Sequence, residues 1–112
     1  MQDTQGELER ARAKILALVA DLEGDLAAIA ESTADGPDDE HDAEGSTVGY
    51  ERARVSALLD RASRAATELS AGLERLKAGK FGRCEQCGGE IDPSRLEALP
   101  AARMCIACAA GQ

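Results

Sequence analysis

The chain has 112 residues, of which 44% are hydrophobic, yet only Tyr50 and Phe81 are aromatic and there is no Trp. That composition excludes an ordinary aromatic-filled globular core, and no stretch approaches the ~18 consecutive apolar residues of a membrane span. With 21 acidic against 13 basic side chains, the formal net charge of -8 disfavours nucleic acid as the main partner and points to a protein.

The N-terminal residues Met1 to Glu7 carry no basic segment, and the apolar run Ile15 to Ala20 is too short for the core of a secretion signal. The chain is therefore expected to be cytoplasmic, with its thiols reduced. From Leu8 the apolar positions run Ile15, Val19, Leu22, Leu26 and Ile29, a heptad seam along one face of a helix, with Arg12 as its polar exception. The rhythm returns at Val48, Val55, Leu59, Ala62, Ala66, Leu69, Leu73 and Leu76, with Arg52 the exception. Two seams of similar length predict an antiparallel helical hairpin. Leu8 with Leu69, Ile15 with Ala62, Leu22 with Val55 and Ile29 with Val48 have residue numbers that each total 77, which puts the turn near Asp38 and Asp39. Both arginines are expected to extend their stems over the seam and keep their charges in solvent.

Between Glu31 and Glu44 lie seven carboxylates, the single His41 and no Lys or Arg, with Gly36-Pro37 and Gly45 as helix breakers. Such a cluster opposes folding by self-repulsion, which marks it as more than a linker. Ser46 or Thr47 is the expected N-cap of the second helix, with Glu51 in its first turn. At the other end of that helix Arg75, Lys77, Lys80 and Arg83 fall in a stretch without acids, just before and after Gly79.

The remaining segment carries the sharpest motif. Cys84-x-x-Cys87 and Cys105-x-x-Cys108 are separated by 17 residues, a spacing that brings four sulfur ligands to one structural zinc ion. Gly88 and Gly89 allow the tight turn that aims backbone N–H groups at thiolates. The alternatives are disulfides, which imply export, or a redox pair, which is expected beside a βαβ pattern that the sequence lacks. Four cysteines close the coordination sphere, so the site builds structure and performs no chemistry; the chain is not expected to be an enzyme. The predicted fold is mainly α: a long antiparallel coiled-coil hairpin over residues 1–78 with its acidic tip at 31–45, then a small four-cysteine zinc-finger module over 79–112.

The segment Lys80-Phe81-Gly82-Arg83-Cys84-Glu85-Gln86-Cys87-Gly88-Gly89-Glu90-Ile91, with Arg95-Leu96-Glu97-Ala98-Leu99-Pro100 and the second cysteine pair, resembles the C4 zinc-finger signature of the bacterial DksA/TraR family. The resemblance implies a regulator that binds bacterial RNA polymerase, inserts its hairpin tip into the secondary channel and alters initiation without binding DNA directly. It implies tip contacts by Asp39, Asp42 and Glu44, the last standing where the family's Asp-x-x-Asp-x-Ala motif has alanine, and contacts by Arg61 on the second helix and Arg95 at the base. Positions that are basic in the family's ppGpp site are Glu68, Leu99 and Ala109 here, so ppGpp binding is not expected. The chain ends four residues after Cys108, which implies a form without the C-terminal helix of longer members. The other functions in keeping with these features are a Gre-like transcript-cleavage factor acting through the acidic tip and an adaptor for another protein.

Overall fold

The computed structural model describes residues 3–35 and 42–111, with the backbone alone at 33–35 and 42–46. Two long helices dominate: α1 (Thr4–Asp35) and α2 (Asp42–Lys77). Two short ones follow, α3 (Pro93–Ala98) and α4 (Ile106–Ala109), and an isolated antiparallel bridge pairs Arg83 with Glu90. Among the described residues no helix is long and apolar enough to cross a membrane.

The ends of these helices follow from local chemistry. Asp3 starts α1, its Oδ1 accepting from the Gly6 N–H at 3.0 Å. α2 begins at Asp42, four residues earlier than the expected cap at Ser46. Gly45 thus lies inside the helix, at a cost of about 1 kcal/mol relative to alanine. Acidic residues such as Asp42 and Glu44 are favoured at the start of a helix by its dipole, which counters that cost. Glu51 consequently sits well beyond the first turn, where Arg54 donates to it at 2.8 Å and holds its carboxyl below the usual range. At its far end α2 closes on a Schellman motif. The Lys80 N–H bonds the Arg75 carbonyl at 2.8 Å and the Gly79 N–H the Leu76 carbonyl at 3.1 Å, which requires the positive φ of 76° at Gly79. A residue with a Cβ would be strained there.

The chain forms two compact units. In the unit Lys14–Ala65, Leu22, Val55 and Ala62 are buried together, and Ile15, Val19, Leu26, Ile29 and Leu59 pack against them. These are the predicted seam residues, and they join α1 to α2 as an antiparallel pair. Leu58, which the heptad left outside, joins the same cluster. In the unit Met1–Ala13 with Ala66–Gln112, Leu8, Leu69 and Leu73 are buried alongside Cys84 and Ile91 of the finger. Arg12 departs from expectation: half-buried, it donates from Nη1 to Ser70 Oγ on α2 at 3.3 Å. A seam hydroxyl within reach gives the guanidinium a partner inside the pair of helices, so it does not need to extend to solvent. Arg52 is exposed, as expected.

Candidate metal centre

The first hook is built by backbone geometry. Gly88, with φ of 79°, turns the chain so that its N–H reaches the Cys84 carbonyl at 3.0 Å, and the next N–H, of Gly89, points at Cys87 Sγ at 3.4 Å. The Cys87 N–H in turn approaches Cys84 Sγ at 3.5 Å. The hook is closed by the Cys84 N–H on the Gly89 carbonyl and by the Ile91 N–H on the Gly82 carbonyl, each at 2.8 Å. These bonds flank the Arg83–Glu90 bridge.

The second hook is carried on a different scaffold. Asp92 caps α3, its Oδ1 accepting from both the N–H and the hydroxyl of Ser94 at 3.1 Å, and Pro93 occupies the first turn, where its missing N–H is no loss. From α3, Arg95 Nε donates to the Met104 carbonyl at 3.0 Å, holding the strand of chain that leads into Cys105. Cys105 precedes α4, and Cys108 lies within it. The Glu85 N–H, inside the first hook, bonds the Arg103 carbonyl at 2.9 Å and so sets the two hooks against each other.

As a result the four Sγ atoms of Cys84, Cys87, Cys105 and Cys108 lie within 4.8 Å of one another, and Cys87 Sγ stands 3.9 Å from Cys105 Sγ. A zinc ion with Zn–S bonds of about 2.3 Å requires sulfurs about 3.8 Å apart at the corners of a tetrahedron, so the cysteines present fit the ion. Cys84 is buried, Cys87 exposed and the other two intermediate. The Cys84 thiol is pulled down to about 6, first by the N–H of Cys87, then by that of Cys105. Cys108 is pushed up to about 12, first by its contact with Cys105 and then by that with Cys84. The arrangement thus stabilises one thiolate readily and resists a second beside it, the electrostatic condition that a divalent cation relieves. Bound there, zinc supplies a closed structural crosslink between the hooks.

The finger is also bound to α2. Arg75 donates to the Ala101 carbonyl at 3.2 Å and lies 3.8 Å from the Glu85 carboxylate, while Arg103 lies 3.6 Å from Glu68. The close approach of Ala101 occurs at Gly72, where a Cβ would meet Ala101 Cα at 3.8 Å. In the sequence Arg75 is part of a basic end and Glu68 a non-basic position. Partners so far apart in the chain leave no local pattern by which to pair them.

Of the remaining predicted contact residues, Arg95 is half-buried and engaged with Met104, and Arg61 is exposed on α2 beside a shallow apolar groove that includes Leu18 and Leu58. Asp42 and Glu44 fall at the start of α2, in the stretch described by backbone alone. Asp39 lies outside the described residues, as does His41.

Residues 79–112 match the prokaryotic dksA/traR C4-type zinc-finger family. The RNA polymerase-binding transcription factor DksA of Haemophilus influenzae is 43% identical over 49 residues, 44% of this chain and 34% of that protein. General stress protein 16O of Bacillus subtilis is 34% identical over 68 residues, 61% of this chain and 42% of its own length. The chain thus spans less than half the length of either relative. Among solved structures, transcription factor DksA2 from Pseudomonas aeruginosa is similar with a TM-score of 0.78 at 27% identity, covering 96% of this chain and 78% of that one. A four-sulfur cluster with zinc geometry, matched to this family over residues 79–112, marks that segment as a dksA/traR C4-type zinc finger, in a chain whose fold is similar to that of DksA2.

Proposed function

We propose that this protein is a non-enzymatic regulator that binds bacterial RNA polymerase in the cytoplasm, passes the turn between α1 and α2 into the secondary channel and modulates initiation without contacting DNA directly. The observation that carries this reading is the C4 finger joined to a long helical pair, a fold similar to that of transcription factor DksA2, in a chain that is also similar over 49 residues to a protein named as an RNA polymerase-binding transcription factor. The net charge of -8 supports a protein surface over DNA as the primary contact.

In this reading Asp39, Asp42 and Glu44 present carboxylates to a catalytic centre that works with magnesium, a cation that takes oxygen ligands. Arg61 supplies a contact from α2, and Arg95 one from the base through whatever part of its guanidinium the Met104 carbonyl leaves available. The chain is not expected to bind ppGpp. Glu68 is committed to Arg103, and Leu99 offers an exposed apolar side chain where a cation is needed to hold a phosphate.

The test is a reconstituted transcription assay with purified polymerase. Wild-type protein should change the lifetime of promoter complexes, whereas Asp42→Asn should bind polymerase and lose most of that effect. Shortened RNA from a stalled elongation complex, dependent on Asp39 or Asp42, would instead assign the protein to transcript cleavage.

A further inference from the structure

A cavity of about 710 Å³ opens within the unit that contains the finger, bounded by the first turns of α1, the Arg83–Glu90 bridge and α3. Its size is in the range of about 300–1,000 Å³ typical of binding clefts. Leu8 and Ile91 form a buried floor, and Phe81 and Leu96 add half-exposed apolar surface above it. The charged lining is unequal: Glu7, Glu90 and Glu97 stand against Arg83 alone. All four side chains are exposed, and among the described residues none of them has an ion-pair partner within 4.0 Å. The N-terminus of α1 does not redress the balance, because Asp3 already accepts its Gly6 N–H.

An anionic ligand would find one guanidinium among three carboxylates there. A cation on an apolar stem finds the reverse: a hydrophobic wall for its methylenes, the Phe81 ring for its charge and unpaired carboxylates at the mouth. We propose that this cavity is a docking socket for a lysine- or arginine-bearing, apolar-faced segment of the polymerase, a second contact by the base of the molecule; this rests on the reading of polymerase as the partner. Carboxylates at such a rim chiefly accelerate association and fix orientation, and their effect is weakened by salt.

The experiment measures binding of the zinc-loaded full chain to purified bacterial RNA polymerase by fluorescence anisotropy at low and high salt. Three variants are compared, each checked for zinc stoichiometry and helicity. Glu90→Lys with Glu97→Lys reverses the mouth, Glu9→Lys with Glu23→Lys makes the same charge change away from the cavity, and Thr4→Trp adds bulk at the mouth without changing charge. The first should weaken binding on the order of ten-fold relative to the charge-matched control at low ionic strength, with the gap narrowing as salt is added. Thr4→Trp should weaken it at both salt concentrations. If wild-type chain binds and either cavity variant binds as tightly as the control pair, the socket is overturned while the polymerase reading stands. If wild-type chain fails to bind at all, both fall together.

Discussion

Cys84 combines the two demands on a structural ligand, burial and early ionisation. Its thiol, held down to about 6, is ionised at neutral pH before metal arrives, whereas Cys108, raised to about 12, keeps its proton until metal displaces it. The sign of the pH dependence follows. For zinc binding to the folded chain, a thiol already ionised contributes fully above its depressed value and loses that contribution as pH falls through it and protons compete with the metal. A plot of log zinc affinity against pH should therefore steepen by one proton below about pH 6, as read by competition with a chromogenic chelator; no break near that value would show that Cys84 is not the early thiolate. Replacing Cys87 with Ser removes one corner of the tetrahedron and should abolish stoichiometric zinc by native mass spectrometry, while the buried residues of Lys14–Ala65 retain helical signal. Retained zinc at one equivalent would rule out the four-sulfur site.

At the scale of elements, α1 and α3 start on the aspartate caps Asp3 and Asp92, and α2 ends on a Schellman motif. α2 is closed by its Schellman end at Gly79, and Gly72 is its weak point: a buried glycine inside a helix. A Cβ there meets its nearest neighbours at 3.7–3.9 Å, ordinary contact distances, so Gly72→Ala should stabilise the fold by about 0.5–1 kcal/mol through helix propensity. A lower unfolding midpoint in denaturant would mean that Ala101 needs the glycine to approach. The heptad made most of this legible in advance, since Leu8, Leu22, Val55, Ala62, Leu69 and Leu73 are all buried where the seam placed them. α2 includes Gly45 and Ser46, which in sequence look like a boundary, because neither residue type reveals whether helix continues through it. The four ligands were legible because their spacing is local. The braces Arg75–Glu85 and Arg103–Glu68, and the Arg12–Ser70 bond, were not, because they depend on which helix faces which loop.

For the whole molecule, the proposed function assigns attachment and action to different parts of the chain. The four-cysteine site, the braces to α2 and the cavity are all in the unit containing the finger, while Asp42 lies at the start of α2 and Asp39 falls in sequence between the two long helices. If the turn acts inside polymerase and the finger anchors outside, substitutions in the two places should have different kinetic signatures. Asp42→Asn is expected to leave polymerase affinity within about two-fold, since one charge among the several carboxylates of this stretch is a small binding term. The same change should remove most of the effect on promoter-complex lifetime. Equal loss of affinity and effect would make the turn a docking element and not the acting part.

The proposed function requires the carboxylates between α1 and α2 to reach the catalytic region of RNA polymerase. A photo-crosslinking amino acid placed at position 39, in zinc-loaded protein mixed with purified bacterial RNA polymerase, measures this directly. Crosslinks mapping to the secondary channel and the residues around the active-site magnesium are the predicted result. Crosslinks confined to the outer surface of the enzyme, or none above the level of a Cys87→Ser control, would contradict it.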